Sequence, residues 1–241
     1  MDKFGFEVTS EATATMLSTG IQALPTIEPQ MPETPLTDST MSNYKKTNAY
    51  KSGFFPDVDE KKWYGFGSTK AVATVYEYGL MIGDDKNNFS PEGDITVAQA
   101  ITMAVRVQSI YDTGKQFAET TSPWYKAYVD YAAWKGIIKP GDFKGSDYER
   151  PATRAEMAYI FSRSLPPSEF AAQNKVNSLP DVNSGTKYKD AIFMLYEAGI
   201  LAGNDAAGTF GPSKNITRAE AAMIITRMIL PSTRIGGKTY G

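Results

Sequence analysis

One pattern recurs three times in this chain and narrows the folds open to it more than any other feature. An aromatic-rich helical stretch ends in glycine: YEYGL at Gly79, AWKGI at Gly136 and YEAGI at Gly199. A turn-rich loop follows. A second helical stretch then opens on threonine, as TVAQ at Thr96, TRAE at Thr153 and TRAE at Thr217. The glycine-to-threonine spacing is 17, 17 and 18 residues. An arginine stands ten residues after each threonine: Arg106, Arg163 and Arg227. Such a period marks supersecondary units that cannot bury their apolar faces alone and must share a core. The second stretches place apolar residues at helical spacing, as in Ala155, Ala158, Phe161 and Leu165, or Ala219, Ala222, Ile225 and Ile229. The glycines fit the left-handed position that ends a helix. The expected fold is therefore all-α: three helix–loop–helix repeats that could close as a pseudo-threefold trimer.

Other elements recur less evenly. FPDV at 55–58 and LPDV at 179–182 open two of the units, and the pairs Trp63-Tyr64 and Trp124-Tyr125 precede two first helices. The third unit has Lys187-Tyr188 there. The units are read as 54–111, 117–166 and 178–230, with a C-terminal tail over 231–241. Residues 1–53 differ in composition. The run PTIEPQMPETPLTDSTMSN at 25–43 is rich in Pro, Thr and Ser, so 1–53 reads as an extended N-terminal tail or linker.

Composition removes whole classes of chemistry. The 241 residues include no cysteine and no histidine. Disulfides, thiolate metal sites, cysteine nucleophiles and serine–histidine catalysis are thereby excluded, and a conventional zinc site lacks its usual ligands. The net charge of −2 argues against a broad basic surface for nucleic acid. No run reaches the ~18–20 apolar residues of a membrane helix. The first twenty residues, with Asp2 and Glu7, do not read as a signal peptide, so the chain reads as a truncated or mature form or as part of a larger assembly. The loop residues Asp84, Asp85, Asn87 and Asn88 read as turn formers rather than a calcium site, since an EF-hand glycine and closing glutamate are missing. No metal, no cofactor and no catalytic constellation is expected.

The threonine corners carry most of the remaining information. Thr-x-x-Glu ahead of an apolar run is a capping box, in which the threonine hydroxyl accepts the third helical N–H and the glutamate accepts the threonine N–H. Thr153 with Glu156 and Thr217 with Glu220 fit it, and so does Thr96 with Gln99. Capping does not explain Arg154 and Arg218. Each sits at the first helical position, where the helix dipole disfavours a cation. Two readings stay open: an ion pair with a nearby carboxylate such as Asp57 or Asp181, or an anion site built from a fixed guanidinium and a helix N-terminus.

The ordered motifs over 54–230 resemble the S-layer homology (SLH) domain: F/L-P-D-V, W-Y, an aromatic helix ending in G-I/L, G-x-x-x-x-x-F-x-P, and I-T-R-A-E. That resemblance implies three repeats forming a pseudo-trimer. It also implies inter-repeat grooves that bind anionic, often pyruvylated, secondary cell-wall polysaccharide, and a place at the bacterial cell surface. The ligand-binding residues it points to are Arg154, Arg218, Asp57, Asp181, Trp63, Trp124, Gly83 and Gly203. The second unit has only Glu119 where the aspartate belongs, with Gly141 and Phe143 out of register, and the first has Val97 where the arginine belongs, so its groove is expected to be weak.

The expectation is a non-catalytic anchoring module whose partner is an anionic wall glycan. The alternative is a structural or assembly protein, such as a surface-layer, particle or phage-type component. It would reuse the fold as a scaffold and dock a protein partner or a neighbouring copy through residues 1–53.

Overall fold

The computed structural model describes residues 40–65 and 69–241. Among these, six α-helices carry the architecture: α1 (Ala71–Glu77), α2 (Val97–Thr113), α3 (Lys126–Trp134), α4 (Arg154–Phe161), α5 (Lys189–Glu197) and α6 (Arg218–Ile229). Two-residue strands β1 (Lys175–Val176) and β2 (Thr239–Tyr240) pair in parallel. No helix of the described residues is long and apolar enough to cross a membrane. The helical expectation holds.

Each first helix leans on the second helix of another unit. α3 packs on α2, α5 on α4, and α1 on α6. The apolar faces read from the sequence are thus satisfied between units. Ile101, Ile137, Met157, Ile160, Phe161, Ile225 and Met228 are all buried. Burying one such side chain stabilises by roughly 1.5–3 kcal/mol, before the entropy of ordering it is counted.

The helix ends are set as the sequence implies. Gly79, Gly136 and Gly199 follow α1, α3 and α5 with φ of 69°, 73° and 73°. The space around them differs. A Cβ on Gly136 would meet nothing within 4 Å, whereas one on Gly199 would lie 2.1 Å from the Ile235 carbonyl oxygen. Arg106, Arg163 and Arg227 tie each second helix to the turn after its unit's first helix. They donate to the carbonyls of Leu80 (3.2 Å), Gly136 (2.9 Å) and Ile200 (3.0 Å).

The segments ahead of α2, α4 and α6 meet in a closed circuit of backbone hydrogen bonds. Ile95 donates to Ile216 (3.1 Å), Ile216 to Ala152 (3.0 Å), and Ala152 to Ile95 (2.8 Å). All three side chains are buried. This junction positions the threonine corners.

Residues 40–53, which the composition assigned to the tail, bond to the helices. The Tyr44 hydroxyl donates to the Val107 carbonyl (2.8 Å), and the Thr47 and Asn48 N–H groups donate to Glu77 (2.7 and 3.0 Å). Gln173 and Asn174 repeat that contact on Glu197 at 2.7 and 3.0 Å. The amides of Asn48 and Asn174 reach Tyr76 and Tyr196 at 2.8 and 2.9 Å. The tail reading of residues 1–39 lies outside the described residues. At the other end, Thr239 and Tyr240 pair with Lys175 and Val176, and Tyr240 packs edge-on against Tyr196 at 5.3 Å.

Candidate ligand-binding site

All three capping boxes are formed. Thr96, Thr153 and Thr217 accept the N–H of Gln99, Glu156 and Glu220, and those side chains accept the threonine N–H in return. The threonines are extended, with ψ near 160° (163°, 158° and 161°), so each chain enters its helix at a sharp corner.

The corners spend their other amides on the protein. Arg154 N–H donates to Lys214 (2.8 Å) and Ala155 N–H to Pro212 (3.1 Å). Arg218 N–H donates to Gly93 (2.9 Å) and Ala219 N–H to Pro91 (2.9 Å). With the next N–H held by threonine, the first three helical amides of α4 and α6 are all occupied. The expected anion site built partly on helix N–H groups is therefore corrected.

Both guanidinium groups reach into the loop of a neighbouring unit in the same way. Arg154 Nε donates to the Phe210 carbonyl (2.7 Å), and its guanidinium lies 4.9 Å from the centre of the Phe210 ring. Arg218 Nε donates to the Phe89 carbonyl (2.6 Å), with its guanidinium 4.9 Å from the Phe89 ring. Arg218 also donates through Nη2 to Ile82 (2.9 Å). The ring contact and the carbonyl bond together restrain each group. Burial pushes the Arg218 pKa down, while Asp57 and Asp84 at longer range oppose that shift.

Asp57 and Asp181 hold these loops. The Asp57 carboxylate accepts the N–H groups of Phe89 (2.8 Å) and Ser90 (2.6 Å). Asp181 does the same for Phe210 (2.8 Å) and Gly211 (2.6 Å). The aspartates thus present the carbonyls that the arginines bind. The suggested ion pairs of Arg154 or Arg218 with Asp57 or Asp181 do not form. Arg154 instead pairs through Nη1 with Oε1 of Glu220.

The remaining expected residues divide into loop formers and exposed aromatics. Gly83 is required by packing, since a Cβ there would sit 2.7 Å from the Phe55 ring. Gly203 has φ of +74°, and a Cβ would lie 2.6 Å from the Gly208 backbone. Trp63 and Trp124 are half exposed, at 51% and 50%. Each meets the following tyrosine edge-on, at 5.3 and 5.6 Å. Asp84 and Asp205 serve turns: Asp84 accepts the N–H groups of Lys86 (2.9 Å) and Asn88 (2.7 Å), and Asp205 that of Thr209 (3.0 Å).

The corner of α2 has buried Val97 at its first position. The sequence reading missed the residue that compensates. Arg150 grips Glu156 with two bonds, Nη1 to Oε2 (2.9 Å) and Nη2 to Oε1 (2.6 Å). Phe89 and Phe210, noted only as marks of the pattern, supply the carbonyl and the ring for each arginine. Their shared place two residues before proline was the available signal.

Residues 54–101 and 178–222 match the S-layer homology domain. Over these two stretches the chain is similar to S-layer homology domain proteins. Its relatives include an S-layer protein of Bacillus thuringiensis subsp. finitimus and the S-layer protein sap of Bacillus anthracis. Each is 29% identical over 185 residues, covering 72% of this chain and 21% of the relative. An endoglucanase of Bacillus sp. (strain KSM-635) is 25% identical over 199 residues, covering 79% of this chain and 20% of the enzyme. The chain thus spans about a fifth of the length of these relatives. The second helix–loop–helix unit, between the two matched S-layer homology regions, carries the same capping box and C-terminal glycine as its neighbours.

Proposed function

We propose that this chain is a non-catalytic module that holds a protein to the bacterial cell surface by binding an anionic secondary cell-wall polysaccharide. In this reading the three helix–loop–helix units are arranged as a pseudo-threefold trimer, and the ligand lies in grooves between units. The observation that carries it is the paired arrangement of Arg154 and Arg218. Each guanidinium is fixed at the start of a helix by the carbonyl and ring of a phenylalanine in a neighbouring loop. A preset guanidinium suits a carboxylate such as that of a pyruvate ketal, because its fork matches the two oxygens and little side-chain freedom is lost on binding. Exposed Trp63 and Trp124 suit the apolar face of a sugar ring. The relation to S-layer proteins supports the same reading, and in the endoglucanase the matched stretch is only a fifth of the enzyme.

The test is a pull-down on wall sacculi, intact and stripped of secondary polysaccharide. Binding to intact sacculi that is lost on stripping, and lost with the double substitution Arg154→Ala and Arg218→Ala, is expected. Equal binding to both preparations, or full binding by the double variant, would sink the reading.

A further inference from the structure

We infer that the two arginine corners are not equivalent: Glu220 closes the Arg154 corner to anionic ligands, and Gln99 leaves the Arg218 corner open. The inference rests on the proposed function and names the residues that decide which groove takes a charged ligand.

The three corners obey one cyclic relation. The first residue of each second helix donates its N–H to a residue just ahead of another unit's corner: Val97 to Arg150, Arg154 to Lys214, and Arg218 to Gly93. At the Arg154 corner, that relation brings the guanidinium onto the capping glutamate of the next unit, Glu220. The position that corresponds to Glu220 for Arg218 is Gln99. For Val97 it is Glu156, and there Arg150 supplies the missing cation.

Two corners are therefore neutralised internally, and one is not. Among the described residues no carboxylate oxygen lies within ion-pair distance of Arg218, while Arg154 is paired and only 6% exposed. Arg218 is only partly buried, and its Nη1 makes no hydrogen bond to the described residues. Gln99 cannot neutralise it, and its own Oε1 accepts the Thr96 N–H (3.0 Å). An incoming carboxylate at Arg154 must displace Glu220 and leave a partly buried anion behind. At Arg218 it meets a guanidinium that no carboxylate pairs directly, Asp57 and Asp84 acting only at longer range, and it displaces no carboxylate.

Glutamate and glutamine are nearly isosteric and both complete a capping box here, so the two can be exchanged with the helix start kept. The experiment titrates the full chain, by calorimetry, with a pyruvate-ketal monosaccharide and with its methyl ester. The intact chain is expected to take the carboxylate probe at one site. Gln99→Glu is expected to weaken it at least about tenfold, the scale of a charge-assisted contact. Glu220→Gln is expected to add a second site. The methyl ester should bind weakly and alike to all three, which a merely structural effect of the swaps would not produce. Two equal sites in the intact chain, or either swap leaving binding of the acid unchanged, would overturn the inference while wall binding stands. A chain that holds stripped and intact sacculi equally would fail at the proposed function instead, and the inference would fall with it.

Discussion

Arg150 and Glu156 form a two-point ion pair, at 2.9 and 2.6 Å, beside the corner whose first helical residue is Val97. Glu156 is 7% exposed and already receives the Thr153 N–H at 2.9 Å. Burial works against its charge, but the bonds from Arg150 and Thr153 outweigh that and hold its carboxyl below the usual range. Arg150→Met is therefore expected to cost about 1–3 kcal/mol, since it strands a buried anion although the arginine itself is partly exposed. Urea denaturation at neutral pH measures this.

The same pair sets an acid dependence. A carboxyl whose folded pKa is depressed contributes stability that is present above its unfolded pKa, near ~4.3 for glutamate. That contribution is lost as pH falls through the lower folded pKa. Acid titration of Glu156→Gln is expected to show a flatter loss of stability below about pH 4 than the intact chain. Arg150→Met, which removes support for the charge and so reduces the depression of the Glu156 pKa, should likewise show a smaller acid-dependent loss than the intact chain.

Asp57 and Asp181 each hold two loop N–H groups and, through Phe89 and Phe210, the carbonyls that fix the arginines. Replacing either by alanine leaves two donors without their charged acceptor, at a cost of about 1.5–3 kcal/mol. Asp57→Ala is further expected to weaken glycan binding, because the loop that orients Arg218 loosens. Denaturation and a sacculus pull-down on the same variant check the two effects.

Gly136 and Gly199 share a left-handed backbone but not a neighbourhood. Gly136→Ala is expected to cost only the strain of that conformation, about 1–2 kcal/mol. Gly199→Ala must also push back the Ile235 carbonyl, 2.1 Å from the new Cβ, and is expected to cost clearly more. Thermal melts of the two variants side by side decide it.

Trp63→Ala and Trp124→Ala test the sugar platform. Both side chains are half exposed and meet one tyrosine edge-on, so stability is expected to fall only moderately, by about 1–2 kcal/mol. Affinity for the wall polysaccharide is expected to fall by a few-fold to about tenfold, the scale of an aromatic contact. Unchanged affinity in both variants would remove the tryptophans from the site.

The starts of the second helices and the ends of the first were legible because each is punctuated by local chemistry. Thr96, Thr153 and Thr217 start helices, and Gly79, Gly136 and Gly199 end them, through bonds made within a few residues. The pairing of helices was not legible. That α1 lies on α6 joins segments far apart in sequence, which no local pattern encodes. The capping role of Glu220 was read correctly, but its second contact, with Arg154, joins residues far apart in sequence. Arg150 escaped notice for a similar reason: it answers the absence of an arginine at Val97, in a different unit. The helical contacts of Asn48 and Asn174 were missed because their distance to the following Pro-Asp differs between the two units.

The circuit through Ile95, Ile216 and Ala152 closes on itself, and closure fixes a number. A linear array of repeats can gain or lose a member and still present a finished end. Here each of the three segments is both donor to one neighbour and acceptor from the other. Deleting a unit opens two bonds at once, and a fourth would have no vacant partner. Variation among such units is therefore accommodated by substitutions at the corners, as at Val97 and Gln99, and not by a change in the number of segments at this junction.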